Sequence, residues 1–180
     1  MSLQPLIPFE QDPALQGIEL QAEALHQANV LRVRFRLEDP GASVTMPPAS
    51  ATPQRRDALW QSTCFEVFFG VAGDPGYWEL NLSPNGHWNA YRLEDYRQGL
   101  QAEPSITTLP YSLKRSSTRL ELNLELPLGA LVESDAGLEV SVTAVLEQAQ
   151  DGCSYWAWTH AGAVPDFHQR ASFCLIPKRN

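Results

Sequence analysis

The sequence predicts an all-β protein: a two-sheet antiparallel β-sandwich of about ten strands, joined in jelly-roll or Greek-key fashion. Three observations predict it. Apolar and polar residues alternate with a period of two in several segments. Clusters of Gly, Pro, Asp and Asn punctuate those segments at turn-forming spacings. Nowhere does the 3.6-residue apolar period of a long amphipathic helix appear.

In chain order, a weaker strand pattern near 17–25 precedes the clearest one. There Leu31, Val33, Phe35 and Leu37 alternate with Arg32, Arg34 and Arg36, which places the apolar set on one sheet face and the arginines on a solvated one. Asp39-Pro40-Gly41 ends that strand. Residues 42–58, rich in Pro, Ala, Ser and Thr, form the longest loop, and long loops on a rigid frame often carry function. The segment from Trp60 to Arg92 then reads as three short strands, separated by Gly73-Asp74-Pro75-Gly76 and Ser83-Pro84-Asn85-Gly86. Short helical turns are expected near 92–99 or 127–134, and a weak strand near 105–113. Leu120, Leu122, Leu124 and Leu126 alternate with Glu121, Asn123 and Glu125, and Leu138, Val140 and Val142 with Glu139, Ser141 and Thr143. Leucine is a moderate strand former, so period outweighs propensity in the first of these runs. A turn at Gln150-Asp151-Gly152 and weak strands near 153–159 and 171–176 complete the pattern.

The 180 residues suit one full-sized domain, 1–180, without repeats or a linker. Thirteen Lys and Arg against 21 Asp and Glu give a formal net charge of −8. A field of that sign disfavours nucleic acid and anionic membrane surfaces as partners. The first residues hold neither a basic n-region nor an apolar run, no stretch nears the ~20 apolar residues of a membrane span, and a cytoplasmic location is expected. Cys64, Cys153 and Cys174 make an odd count without metal-type spacing. They read as buried small hydrophobes in a reducing compartment, although a disulfide between two of them stays open. His26 and His87 are isolated and read as surface residues.

Two segments concentrate chemistry. One is Trp60-x3-Cys64-x-Glu66-x-Phe68 followed by Tyr77-x-Glu79-x-Asn81-x-Ser83-Pro84-x-Gly86-x-Trp88-x2-Tyr91; the other is Trp158-Thr159-His160 with Pro165-Asp166-Phe167-His168-x-Arg170. Together they resemble the DOMON-like superfamily, and within it bacterial proteins related to family 9 carbohydrate-binding modules. The resemblance spans roughly residues 15 to 176. It implies a β-sandwich with a sugar site or, in other branches, a haem. It also implies that Glu66 contacts ligand hydroxyls, as an acid does at the matching motif position of family 9 modules.

The residues support such a ligand in their own right. If Phe65, Val67 and Phe69 face the core, Glu66 faces the opposite surface with Cys64 and Phe68. Carboxylates accept strong hydrogen bonds from hydroxyls, and Asn81, Asn89 and Arg92 supply complementary donors. Aromatic rings offer flat faces for the C–H side of a pyranose. Each of the five tryptophans, Trp60, Trp78, Trp88, Trp156 and Trp158, is either core or platform. The expected ligand-binding set is Glu66 and Arg92 for hydroxyls, Trp88 and Trp158 for stacking, and His160, Asp166, His168 and Arg170 as a closing loop.

Alternatives stay open at this point. Glu66 is otherwise a solvated strand glutamate, or the partner of Arg92 or Arg170. The histidine-rich loop is otherwise held by structural hydrogen bonds or binds a divalent metal. Met46 opposite His160 or His168 would be the axial pair of a haem domain. Glu66 and Glu79 would be the carboxylates of a glycosidase-like pair, although no recognisable catalytic motif is present. The expected function is non-catalytic binding of a carbohydrate-like small ligand, with no cofactor; the alternative is an interaction or structural domain. If the first holds, at least two of the tryptophans should face solvent beside a carboxylate.

Overall fold

The computed structural model describes residues 2–129, 131–133, 136–149 and 152–179. Its strands begin with β1 (Gln4–Pro5), β2 (Ile7–Pro8), β3 (Glu19–Gln27) and β4 (Val30–Glu38), then β5 (Cys64–Val71), β6 (Tyr77–Leu82), β7 (Trp88–Leu93) and β8 (Gln101–Ala102). The second half adds β9 (Tyr111–Arg115), β10 (Arg119–Pro127), β11 (Leu138–Gln148), β12 (Gly152–Ala157), β13 (Cys174–Ile176) and β14 (Lys178–Arg179). They form two sheets. One runs β1-β3-β4-β10-β9, with β14 parallel to β3; the other runs β2-β12-β11-β5-β6-β7-β8, with β13 on β11. All other pairings are antiparallel. The all-β sandwich read from the sequence is the fold observed.

Alternation decides which side of each strand is buried. Leu31, Val33, Phe35 and Leu37 of β4 and Leu120, Leu122, Leu124 and Leu126 of β10 point into the space between the sheets. Their polar neighbours pair across the outer surface, Arg32 with Glu125 at 3.1 Å and Arg34 with Glu121 at 3.2 Å. Such exposed pairs contribute at most about 1 kcal/mol each, so the apolar layer carries the stability. From the other sheet Phe65, Val67 and Phe69 of β5 enter the same core, with Phe65 and Phe35 at 5.1 Å between ring centroids.

The second sheet differs from the first in one respect that matters for function. β5 is buried on both sides up to Gly70, and β6 over its whole length. The C-terminal segment covers part of the outer side: Phe167 and Phe173 pack on a second apolar cluster of Phe68, Tyr77, Tyr91 and Leu93. Arg170 fastens that segment, donating to the carbonyls of Gly76 at 3.2 Å and Val71 at 3.3 Å and pairing with Glu139. Gly70 makes room for it, since a Cβ there would collide with the guanidinium.

Several details differ from the sequence reading. More strands form than expected, because the two-residue strands β1, β2, β8 and β14 are too short to show alternation. Residues 94–98 make a tight hairpin tip instead of a helical turn, with the Glu94 N–H bonded to Gln98 O and the Gln98 N–H to Asp95 O. The expected turn at Gln150–Gly152 and helical turn at 127–134 include positions outside the described residues. His26 is fully buried, because it continues the inward series Leu20, Ala22, Ala24 of β3; His87 is buried too, its Nδ1 accepting from the Gln54 N–H at 3.2 Å. Only Cys64 is buried; Cys153 is half-buried, Cys174 is exposed on the short strand β13, and all three are free. No helix among the described residues is long and apolar enough to cross a membrane.

Candidate functional site

Register places polar residues in rows across the outer side of the second sheet. Thr143 of β11 pairs with Glu66 of β5, Glu66 with Asn81 of β6, and Asn81 with Asn89 of β7. One row along, Phe68 pairs with Glu79 and Glu79 with Tyr91. Glu66 and Glu79 are thus diagonal neighbours on one face, with Cβ atoms of such pairs roughly 7–8 Å apart or less.

Above these rows the C-terminal segment, the β7–β8 hairpin tip and a short turn at Leu59–Gln61 leave a cleft of about 320 Å³. That is near the lower end of the roughly 300–1,000 Å³ usual for small-molecule sites. Glu66, Glu79 and Phe68 form its floor, His168 and Phe167 one wall, and Arg97 and Leu100 of the hairpin another. Trp60 and Tyr155 stand at its mouth, 38% and 39% exposed, the largest rings that reach solvent here. Trp60 is braced edge-on against Tyr91 at 6.0 Å, and Tyr155 against Phe167 at 6.1 Å. Trp60 ends the long loop, while Tyr155 projects from β12.

The floor is electrostatically unusual. Glu66 is 2% exposed and accepts one long hydrogen bond, from Thr143 Oγ1 at 3.4 Å. Burial, and next the neighbouring Glu79 charge, push its carboxyl well above the ordinary range. Glu79, 5% exposed, accepts from Asn81 Nδ2 at 2.8 Å, and burial raises its carboxyl as well. Two desolvated like charges on one face favour retention of a proton between them.

His168 stands in the wall as a neutral ring. Tyr77 Oη accepts from the Arg97 N–H at 3.2 Å and lies 2.9 Å from His168 Nδ1, so the hydroxyl is placed to donate to that nitrogen. The ring proton then sits on Nε2, which is 3.9 Å from Glu79 Oε2. Burial, aided by the Arg97 charge, lowers the imidazole to about 4, so near neutral pH this contact is not an ion pair. Asp166 anchors the wall: it pairs with Arg97 at 2.9 Å and accepts from Tyr96 Oη at 2.6 Å and from the His168 N–H at 3.1 Å. Arg97 adopts φ +54°, a left-handed conformation that non-glycine residues enter at a cost of roughly 1 kcal/mol or more.

The sequence-expected residues separate into three groups. Glu66 and His168 line the cleft, and Asp166 stands one step behind it, holding Arg97. Trp88, Arg92 and Trp158 lie elsewhere: Trp88, 8% exposed, belongs to the inter-sheet core, and Trp158 packs against that core. Arg92 lies over the Trp78 ring at 4.0 Å, and Trp78 stacks on Phe69 inside. Parity explains this, since Leu82 pairs with Trp88 and Trp78 with Arg92, whereas the site face takes Tyr91 and Asn89. The third group is structural in its contacts. His160 bonds Ile7 O at 2.9 Å and meets Phe9 edge-on, tying down the N-terminal segment, and Arg170 clamps the strand ends as described.

Met46 packs against the inter-sheet core whereas His168 lies on the outer face, so that pair does not converge. Among the described residues no group of three or more His, Cys, Asp or Glu is placed to hold a metal ion. Only Trp60 of the five tryptophans is exposed, so the two solvent-facing tryptophans expected of a sugar site are not found; the second ring at the cleft is a tyrosine, Tyr155. Sequence reasoning passed over Tyr155, Arg97 and Phe167. Strand parity with Cys153 and Ala157 was the available signal for Tyr155, and membership of the C-terminal motif for Phe167; nothing in the local pattern marks Arg97.

Roomier hollows exist but offer less chemistry. One of about 410 Å³ lies under the N-terminal segment beside Leu15 and Trp156, with an acidic residue only at Asp12 and Glu19. Another of about 770 Å³ is an open trough where Arg36, Glu38 and Arg119 already pair with one another. Neither presents a buried unsatisfied charge.

No family model and no curated protein matches the chain. Solved structures do share its fold. A proposed carbohydrate-binding protein from Bacteroides uniformis superposes with a TM-score of 0.74 at 15% identity, covering 99% of this chain and 87% of that one. A family 9 carbohydrate binding module from Caldicellulosiruptor kristjanssonii in complex with glucose gives 0.60 at 13% identity, covering 99% and 84%. The same kind of module in complex with cellotriose gives 0.61 at 13%, covering 99% and 82%. At these identities the likeness is one of fold.

Proposed function

We propose that the chain binds a carbohydrate or similar polyhydroxylated small ligand, without turnover, in the cleft between Trp60 and Tyr155. One observation carries the reading: buried carboxyl groups with spare hydrogen-bonding capacity lie at the floor of a cleft whose mouth is walled by exposed rings. Sugars present that combination in reverse, with hydroxyls around the rim of an apolar face. Glu66 and Glu79 accept from hydroxyls, Arg97 donates to a ring or hydroxyl oxygen, and Trp60 packs on the pyranose face. His168, neutral with its proton on Nε2, supplies a further donor. The fold likeness to modules solved with glucose and cellotriose supports the ligand class, as does the motif resemblance to DOMON-like proteins.

Tryptophan fluorescence, titrated with mono- and oligosaccharides, tests the reading. Trp60 is the exposed indole and lies at the cleft, so a saturable shift that disappears in Trp60→Phe is expected. A flat response across the panel, in a protein shown to be folded, would favour an interaction or structural domain instead.

A further inference from the structure

Glu66 poses a problem that a neutral sugar only half solves. It is 2% exposed and lines the cleft; one carboxyl oxygen accepts a single long bond from Thr143, and among the described residues no hydrogen bond reaches the other. Its diagonal neighbour is a second buried carboxyl, Glu79. The cation of the cleft, Arg97, is engaged by Asp166, and His168 is neutral. Charging a carboxyl group buried without a partner costs several kcal/mol, which the empty site avoids by keeping a proton on the pair; a ligand that brings a positive charge takes that proton's place. The surrounding rings, Trp60, Tyr155, Phe68 and Phe167, also suit a cation, because their π faces attract positive charge.

We infer that the cleft prefers an amino sugar, with its protonated amine held between Glu66 and Glu79 and its ring packed against the aromatic mouth. The inference rests on the carbohydrate reading and narrows it to a class. A primary ammonium has three donors, enough for both carboxyl groups and a third acceptor, whereas a hydroxyl has one. An N-acetylated sugar loses the charge and adds bulk, and is disfavoured on both counts.

Calorimetric titration of the full chain at about pH 6, where a sugar amine is protonated, compares glucosamine, glucose and N-acetylglucosamine. Glucosamine is expected to bind about tenfold more tightly than either neutral sugar, as charge-assisted contacts exceed neutral ones. That preference should collapse in Glu66→Gln, with Glu79→Gln as the second variant should the first not fold. Glucose binding as tightly as glucosamine would overturn the amine inference and leave the carbohydrate reading standing. Binding of none of the three by the folded protein would overturn both. A preference unchanged in a folded carboxamide variant would also overturn the inference, because the amine would then be held elsewhere.

Discussion

Glu66 and Glu79 sit diagonally across the β5–β6 pair, both buried, and among the described residues no salt bridge engages Glu66. Their raised carboxyl groups make stability depend on pH. A carboxyl that binds its proton more tightly when folded gives stability fully present below its unfolded value, near 4.5, and lost as pH rises through the folded value. Replacing Glu66 by Gln removes the charge without removing the bulk. The variant should match wild type near pH 4.5 and exceed it at pH 8 by about 1–3 kcal/mol, the usual cost of an unsatisfied buried polar group. Thermal melts at both pH values measure this, and a constant difference would mean that Glu66 is not the buried charge.

His168 acts in the opposite direction. Its folded value of about 4 lies below the ordinary 6.5, so the unfolded chain takes up a proton that the folded ring refuses. That stability is present above 6.5 and is lost as pH falls toward 4, on the order of 3 kcal/mol in full. Because Glu66 and Glu79 compensate over part of that range, the ring should be followed directly. Its Cε1–H NMR signal is expected to stay unshifted until well below pH 6; a midpoint near 6.5 would show a solvated imidazole.

Trp60 and Trp88 separate binding from folding. Trp60→Ala should leave the melting temperature nearly unchanged and weaken sugar binding about tenfold or more, as loss of an exposed aromatic anchor does. Trp88→Ala opens the inter-sheet core and should cost about 3–5 kcal/mol of stability. Chemical denaturation alongside the fluorescence titration distinguishes them. The reverse pattern would mean that the sugar sits on the core side of β7.

How much of this was legible in the sequence depends on what alternation can report. It places Phe65, Val67 and Phe69 together and Glu66 opposite them, and that is the arrangement found. It also holds the information that Trp88 and Arg92 share a face with Leu82 and Trp78, through pairing. Strand pairing, however, is a long-range property, and a single run such as Trp88–Leu93 does not declare which parity faces inward when both sides are apolar. Trp60, by contrast, precedes β5 on a short turn where period-two reasoning does not apply. Arg97 meets Asp166 only because the hairpin tip folds against a segment about seventy residues away in sequence. Density of polar residues in 158–170 marks that segment as unusual, but only the three-dimensional packing divides His168, at the cleft, from His160, at the N-terminal strand.

Asp166 and Arg97 offer the last test, of whether the cleft wall is held or merely adjacent. Burial would raise the Asp166 carboxyl, but the Tyr96 hydroxyl, the His168 N–H and the Arg97 guanidinium outweigh it and hold it at about 2. Half of the Arg97 side chain is in solvent, 52% exposed, so the pair itself is worth about 1 kcal/mol or less to stability. Its consequence for binding should be larger, because Arg97 occupies a left-handed turn and depends on Asp166 for its orientation. In a double-mutant cycle, Asp166→Asn and Arg97→Gln should each weaken sugar binding several-fold, and together no more than either alone. Additive losses would show that Asp166 does not position Arg97 and that the two reach the ligand separately.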